Sequence, residues 1–159
     1  MSFLILCIGR LKERYFREAC GEYQKRLSRF CALEIFECES RAEPKNASPK
    51  DYQKILEAEG QSLLSQMKPR DHVIALCVDG KEMASDAFAL KISELEDRSA
   101  GRILFVIGGS RGLSREVLLR ANERISFSRM TFPHQMARIL LLEQLYRAKK
   151  MLAGETYHK

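Results

Sequence analysis

Short apolar segments alternate with longer amphipathic segments along the whole chain. Phe3–Gly9, His72–Val78 and Arg102–Ile107 are short, continuous apolar runs, which is typical of strands buried on both faces. Leu33–Glu39 alternates apolar and polar residues, and this predicts a strand with one solvated side. Ile125–Thr131 is predicted as a further strand, so the pattern gives five strands in all.

Five amphipathic segments separate and follow these strands. In the first of them, apolar side chains recur at helical spacing on one face, and Lys and Arg cover the other. Ser48 followed by Pro49 is typical of a helix start, a cap residue and then proline at the first helical position. Gly154 is predicted to end the last helix. The predicted helices are Lys12–Arg29, Ser48 to about Met67, Ser85 to about Asp97, Ser114 to about Asn122, and Gln135–Met151.

The alternation of strand and helix predicts an α/β fold with a mostly parallel sheet and helices on both faces. The chain has 159 residues, which is the usual size of one domain, so we expect a single domain over residues 1–159. Hydrophobic residues make up 45% and charged residues 30%, and this composition excludes a disordered or collagen-like chain.

We expect a cytoplasmic protein that does not enter a membrane. No apolar run reaches the roughly 18 residues needed to span a bilayer. Met1–Ile8 is apolar, but Arg10 and Lys12 follow it rather than precede it, the reverse of the order in a signal peptide. The five cysteines are odd in number and lack the spacing of a zinc or redox motif. They therefore predict reduced structural thiols and no metal site.

The net charge of +6 is unevenly distributed along the chain. Residues 1–97 hold 15 basic and 17 acidic side chains, whereas residues 98–159 hold 12 basic and 4 acidic ones. A basic half favours a polyanionic partner such as nucleic acid. An arginine-rich solvated surface accounts for the charge equally well, and charge alone leaves the two open.

Three predicted strand ends carry residues suited to ligand binding. They are Val78–Gly80, Ile107–Gly112 and Thr131–His134. Ligands of open α/β sheets bind at the carboxyl ends of the strands, so we expect these segments to share one crevice.

The glycine-rich segment Gly108–Gly112 has several interpretations. It lacks the Lys-Ser/Thr pair of a P-loop and the glycine spacing of a dinucleotide fingerprint. Gly108-x-Ser110-x-Gly112 between a strand and a helix matches the nucleophile elbow of serine hydrolases. In that case Glu116 or Glu123 with His134 would supply the acid and the base. On pattern alone a turn that only joins strand to helix is favoured, a ligand-binding loop comes next, and the hydrolase comes last.

Two further groups of residues could bind or react. Pro133-His134 places an imidazole at a strand end, although a histidine at a helix start is more often bonded to a neighbour. Tyr157, His158 and Lys159 bring an aromatic ring, an imidazole and a cation together, which suits a nucleobase and its phosphate. Terminal residues are usually uninformative, so the tail alone is a weak indication.

Four motifs of the second half occur in a specific order: Phe105–Leu113, Phe127–Met136, Glu143–Ala148 and Gly154–Lys159. Together with Ile8–Glu13 they resemble the RlmH family of ribosomal RNA large-subunit methyltransferases, over the full length of the chain. This family belongs to the SPOUT class.

The resemblance implies a SPOUT-type α/β knot, in which the C-terminal part of the sheet forms a trefoil knot, and a homodimer. It implies that S-adenosylmethionine binds in the knot. It also implies the reaction, N3-methylation of a pseudouridine in the helix 69 loop of 23S rRNA within the assembled 70S ribosome. Contacts with ribosomal proteins are expected as well, since the chain has no separate RNA-binding domain.

The resemblance also implies roles for individual residues. The expected cofactor pocket comprises Leu76, Gly108, Phe127, Ser128, Arg129, Met130, Thr131 and Phe132. His158 or His134 would assist deprotonation of the base, and Tyr157 would hold it. Arg138, Arg147 and Lys159 would stabilise the developing anion or the phosphates, with Glu143 orienting one of these cations. Ser110 is then not a nucleophile.

Two alternatives differ in class from the methyltransferase. One is a small serine hydrolase built on Ser110, and the other is a ribosome-binding protein without catalytic activity. The dimer has a rationale in the sequence, because the last helix carries more apolar residues than one face of a small sheet needs. They are Met136, Ile139, Leu140, Leu142, Leu145 and Tyr146. A partner could cover the remainder, and the tail of one subunit would then complete the site of the other.

Overall fold

The computed structural model describes residues 1–98 and 101–157. Strands and helices alternate strictly along these residues. The strands are β1 Ser2–Ile8, β2 Ala32–Cys38, β3 His72–Glu82, β4 Ile103–Ile107 and β5 Glu123–Ser126. The helices are α1 Arg14–Leu27, α2 Pro49–Ser65, α3 Ser85–Arg98, α4 Arg115–Arg120 and α5 His134–Leu152. The predicted α/β class is confirmed.

The five strands form one sheet in the order β2-β1-β4-β3-β5, and every neighbouring pair is parallel. β4 lies at the centre, where Phe105 is in register with Ile5 on one side and Ile74 on the other. All five residues of β4 are buried. A strand buried on both faces must be apolar throughout, which explains why its sequence reads as a continuous hydrophobic run.

Helices cover both faces of the sheet, as predicted. Alternate side chains of β1 point to opposite faces. Phe3, Ile5 and Cys7 enter the larger apolar cluster, to which α1, α3 and α5 contribute. Leu4, Leu6 and Ile8 enter a smaller cluster, to which α2 and α4 contribute. Lys149 pairs with Glu96 and adds a polar link between α5 and α3.

The predicted end of β3 at Val78 is wrong, because the strand continues to Glu82. Leu76 and Lys81 are both in register with Ile125, so the four residues between them bulge out of the ladder. Gly80 permits this path, since a Cβ added there would lie 2.5 Å from the Ile125 carbonyl carbon. The bulge leaves residues 77–79 without register partners in β5.

The predicted strand Ile125–Thr131 is also wrong in its bounds. β5 begins at Glu123 and ends at Ser126, and the chain from Phe127 to Pro133 is irregular. The Ser126 hydroxyl donates to the Ser128 carbonyl at 2.8 Å and accepts from the Ser128 N–H, and the Ser128 hydroxyl accepts from the Met130 N–H at 3.0 Å. These local bonds satisfy backbone groups that a strand would otherwise pair with its neighbour.

The predicted helix starts are mostly correct. Ser48 forms a capping box with Asp51, and Ser114 accepts a hydrogen bond from the Val117 N–H. Ser85 is instead the first residue of α3, and its hydroxyl donates to Gln144 of α5 at 2.8 Å. The predicted trefoil knot stays a prediction. Within the described ranges, no helix combines the length and apolarity needed to cross a membrane.

Two helical glycines give a matched pair of predictions. A Cβ at Gly60 would lie 2.2 Å from Ser114 Oγ and 2.9 Å from Ser114 Cβ, whereas nothing lies within 4 Å of a Cβ at Gly21. We expect Gly60→Ala to lower the free energy of unfolding by about 1–3 kcal/mol, because α4 must move away from α2. Gly21→Ala should raise it by about 0.5–1 kcal/mol through helix propensity. Urea denaturation measures both, and stabilisation by both substitutions would contradict the close packing of α2 on α4.

Candidate active site

A large cavity lies at the carboxyl ends of the central strands. Its volume is about 890 Å³, within the range of roughly 300–1,000 Å³ typical of small-molecule sites. Its walls are the β3 bulge, the loop after β4, and the irregular segment after β5 with the first turn of α5. They comprise residues 76–79, 107–113, 125–128 and 130–134, with Leu118 and Ala137. The three predicted strand ends therefore share one crevice.

The cavity contains most of the residues expected to bind a cofactor. Seven of them line it: Leu76, Gly108, Phe127, Ser128, Met130, Thr131 and Phe132. Arg129 is exposed and is absent from the lining found among the described residues. The irregular path after Ser126 explains this arrangement, since successive side chains no longer alternate between two faces of a sheet.

The loop after β4 forms a tight turn that presents backbone to the cavity. Gly109 and Gly112 form an isolated bridge, with the Gly112 N–H donating to the Gly109 carbonyl at 3.1 Å. Gly112 has φ +81°, and a Cβ at Gly108 would lie 2.2 Å from the Gly112 oxygen. Glycine is therefore required at both positions, at Gly112 by the positive φ and at Gly108 by the close approach of the Gly112 oxygen.

Side chains from outside the cavity hold this turn, and sequence reasoning missed them. Glu43 accepts hydrogen bonds from Ser110 and Arg111, both at 3.3 Å, and the Arg111 guanidinium lies 3.6 Å from the centre of the Tyr52 ring. The segment before α2 is thereby tied to the glycine turn. No local motif marks Glu43, because it lies in a polar loop far from the turn in sequence.

Glu59 lies beneath the same turn. It is only 7% exposed, and its carboxylate oxygens lie 3.4 and 3.5 Å from the position that a Cβ on Gly109 would take. Burial raises the pKa of Glu59, and the negative charge of nearby Glu43 raises it further. The hydrogen bond from the Arg41 backbone N–H and the positive charge of Arg41 lower this pKa, but they do not cancel the effect of burial. A signal for Glu59 was present in the sequence, since it lies four residues from both Ile55 and Leu63 and so falls on the apolar stripe of α2.

His134 is the titratable histidine of the cavity wall. It is the first residue of α5, and its Cε1 lies 3.5 Å from the position that a Cβ on Gly9 would take. Burial lowers the pKa of His134, and the charges of Arg138 and Lys12 lower it further. The imidazole is therefore neutral at neutral pH and able to accept a proton.

Arg138 lies one turn further along α5 and is 2% exposed. It pairs with Glu37 at 2.7 Å and donates to the Gly9 carbonyl at 3.0 Å. It is absent from the cavity lining found in the described chain. Its partners instead lie at the ends of β1 and β2.

A second cluster, the tail cluster, is formed by Glu143, Tyr146, Arg147 and Tyr157. Glu143 accepts from Arg147 at 2.6 Å and from the Tyr157 hydroxyl at 3.4 Å. The Arg147 guanidinium lies 4.8 Å from the centre of the Tyr157 ring, which packs edge-on to Tyr146 at 5.0 Å. Burial raises the pKa of Tyr157, and the Glu143 charge adds to this. The phenol is therefore protonated at neutral pH.

The cavity and the tail cluster lie at different places along α5. At 1.5 Å per residue, Arg147 lies about 20 Å along the helix axis from His134. The described residues thus divide the predicted catalytic set into His134 in the cavity, Arg138 behind it, and Glu143, Arg147 and Tyr157 in the tail cluster. His158 and Lys159 lie outside the described residues.

Comparison with known proteins assigns the class of protein. The sequence profile of the family described as "Predicted SPOUT methyltransferase" matches residues 1–158. Two solved structures share the fold. A probable methyltransferase from Bordetella pertussis Tohama I has a TM-score of 0.55 at 15% identity, over 93% of this chain and 95% of that one. A probable methylase family protein from Haemophilus influenzae Rd KW20 has a TM-score of 0.53 at 14% identity, over 99% and 70%.

Three relatives narrow the assignment, and each is named ribosomal RNA large subunit methyltransferase H. The protein from Clostridium novyi is 50% identical, that from Clostridioides difficile 47%, and that from Carboxydothermus hydrogenoformans 46%. Each match covers all of both chains. The chain belongs to the RlmH family of SPOUT methyltransferases, which confirms the resemblance.

Because the chain belongs to this family, it is a methyltransferase, and the alternative prediction of a serine hydrolase is wrong. The geometry of Ser110 agrees with this conclusion. Its hydroxyl donates to a carboxylate, Glu43, and within the described chain it makes no hydrogen bond to an imidazole. A serine nucleophile needs such a base to activate it.

The buried carboxyl group of Glu59 should make the stability of the fold depend on pH. Because its pKa is raised in the folded chain, the stability it contributes is complete below the ordinary glutamate pKa and is lost as the pH rises through the raised value. Glu59→Gln should abolish this loss and so gain stability relative to the parent between mildly acidic and neutral pH. Urea denaturation at several pH values measures the difference. Glu57→Gln, at an exposed position of the same helix, is the control, and equal effects of the two variants would contradict the prediction.

Proposed function

We propose that this chain methylates N3 of a pseudouridine in the helix 69 loop of 23S rRNA within the assembled ribosome, using S-adenosylmethionine. The observation that carries this proposal is the cavity of about 890 Å³ at the strand ends, built from the motifs of the RlmH family. The names of the relatives support large-subunit rRNA as the substrate. Because the proposed substrate is the ribosome, we propose that the enzyme acts in the cytoplasm.

The residues of the cavity fit S-adenosylmethionine. Gly108 and Gly109 leave backbone rather than side chains on one wall. The segment 127–132 leaves the strand ladder after Ser126, so its backbone groups are suited to bind the edge of an adenine. Leu76 and Phe132 supply apolar surface for its faces. In the family fold that we propose, the trefoil knot brings these loops together.

When bound, the cofactor supplies an electrophilic methyl group with a good leaving group. The remaining difficulty lies in the substrate, because an imide N–H is a poor nucleophile until its proton is removed. The protein must therefore take up that proton and hold the base in line.

His134 and His158 are the two proposed proton acceptors. His134 lines the cavity, and its lowered pKa keeps the ring unprotonated at neutral pH, the form that can accept a proton. Tyr157 offers a ring and a protonated hydroxyl to hold the base. Arg147, oriented by Glu143, and Lys159 are proposed to balance the developing negative charge or the phosphates.

We propose a homodimer in which the tail of one protomer completes the site of its partner. Within one chain, α5 separates Arg147 from His134 by about 20 Å along its axis. Two apolar side chains of the cavity wall are exposed, Met130 at 75% and Phe132 at 36%. Met136, in the first turn of α5, is 40% exposed as well. A second copy would cover this surface and bring its own tail cluster to the cavity.

Transfer of labelled methyl from S-adenosylmethionine tests the proposed reaction. Ribosomes that lack the modification should accept the label at a pseudouridine of the helix 69 loop, while naked 23S rRNA and separated subunits run in parallel. Label on another nucleotide would overturn the assigned site, and preference for naked rRNA would overturn the ribosomal context. No label on any substrate, together with no binding of the cofactor, would overturn the activity itself.

Mixed dimers test the shared site. His158→Ala should reduce transfer and leave S-adenosylmethionine binding intact, and His134→Ala should also reduce transfer. If the tail acts on the partner, co-refolding the two variants restores one intact site in each mixed dimer, about a quarter of parental activity for random pairing. If both histidines act within one chain, no activity returns. Full activity of His158→Ala alone would remove that residue from the mechanism.

A further inference from the structure

A buried cation lies directly behind the cavity. Arg138 is among the largest fully buried side chains, and its guanidinium donates hydrogen bonds to two oxygen atoms. Nη1 donates to Glu37 Oε2 at 2.7 Å and Nη2 donates to the Gly9 carbonyl at 3.0 Å, while Nε has no partner in the described part of the chain. Burial of a cation is costly unless its hydrogen bonds are met. A side chain in this position is not available to contact an rRNA base.

The partners of Arg138 fix the turn that follows β1. Gly9 has φ +85°, and its N–H donates to the Cys38 carbonyl at the end of β2. Arg138 holds the Gly9 carbonyl from the other side. The next part of this turn also contacts α5, because the Lys12 N–H donates to Gln135 Oε1 at 3.2 Å.

The His134 imidazole packs against the Gly9 turn. Its Cε1 lies 3.5 Å from the position that a Cβ on Gly9 would take. Among the described residues, no hydrogen bond to the His134 ring fixes its orientation, so packing against Gly9 must do so. Movement of the Gly9 turn would therefore change where the imidazole points in the cavity.

The charges around His134 act in the same region. Burial disfavours the imidazolium, and the charges of Arg138 on α5 and Lys12 after β1 add to this. Glu37 on β2 forms an ion pair with Arg138, and its negative charge is opposite in sign to that of Arg138. Asp79 and Arg111 also line the cavity. Arg138 thus acts on His134 in two ways, through the Gly9 turn and through its charge.

We propose that Arg138, paired with Glu37, is a positioning residue for His134: it fixes the Gly9 turn on which the imidazole packs and keeps the ring in place for proton transfer. The proposal rests on the proposed function in one respect, that the reaction takes place at the cavity where His134 lies. It replaces the expected role of Arg138 as a contact for the anion or the phosphates.

Titration of the histidine ring signals by NMR tests the coupling without cofactor or RNA. The chain has three histidines, and His134→Gln identifies the signal of His134. His72, which bonds Glu123 at the opposite edge of the sheet, is the internal control. Arg138→Gln removes a positive charge, so the pKa of His134 should rise. Glu37→Gln removes a negative charge, so it should fall further.

The opposite signs distinguish coupling from general damage. Loosening of the structure would expose the ring in both variants and raise both values, and this result would overturn the proposal, as would two unchanged values. Arg138→Gln is expected to fold, since Glu37 is 36% exposed and can be solvated without its partner. Arg138→Lys is the control, because it keeps the positive charge and should leave the pKa of His134 close to that of the parent. If Arg138→Gln does not fold, Glu37→Gln alone carries the titration test, and an unchanged or raised pKa of His134 in that variant would overturn the proposal.

Kinetics with ribosomes separate positioning from binding. Arg138→Lys cannot make both planar contacts, so kcat should fall by about 10- to 100-fold because the ring is misplaced. KM for S-adenosylmethionine should stay within about twofold. Unchanged kcat, or a loss confined to KM, would overturn the positioning role. Failure of the proposed reaction is distinguishable, because the titration shifts would persist while no methyl is transferred to any RNA.

Discussion

Parallel pairing of all five strands is the constraint on which the rest of the structure depends. It gives every strand the same direction, so the ends of β1, β3, β4 and β5 meet at a single edge of the sheet. It also buries the central strand on both faces and requires helices on both sides. The cavity, the Gly9 turn and the start of α5 all lie at that edge. Interactions that shape this edge, such as the contact between Gly80 and the Ile125 backbone, therefore determine the shape of the site.

Strands and helix starts that depend on burial or on contacts between neighbouring residues could be predicted from the sequence. The buried strands are apolar because they lie inside the sheet, and Ser48 with Pro49 begins a helix through contacts within one turn. The ends of β3 and β5 could not be predicted, because they depend on contacts between distant segments. Gly80 fits only because another strand passes beside it. The hydroxyls of Ser126 and Ser128 form hydrogen bonds with nearby backbone groups in place of strand pairing, and the apolar pattern of the sequence does not reveal these bonds.

The candidate site also has features that could be predicted from the sequence and features that could not. The position of the cavity followed from the direction of the strands, and the resemblance provided most residues of its wall. Glu43 and the burial of Arg138 depend on which loops dock on the glycine turn and the Gly9 turn, and side-chain type alone could not reveal them. Glu59 differs, because its helical spacing from Ile55 and Leu63 already places it on the apolar stripe of α2. An arginine in a basic half of the chain suggests contact with RNA, but burial gives Arg138 partners within the protein. Its guanidinium is therefore not part of the surface that an RNA would contact.

α5 is a single helix of 19 residues with the cavity at its first turn and the tail cluster near its last turns. A continuous helix keeps a fixed rotation between its two ends, about 100° for each residue. The insertion or loss of one residue would therefore turn the tail cluster to another side while leaving the cavity unchanged. Residues of the polar loop before α2 other than Glu43 can be added or lost without turning the tail cluster. Variation in length among functional relatives should consequently fall in that loop and spare α5, because α5 fixes both the distance and the rotation between the cavity and the tail cluster.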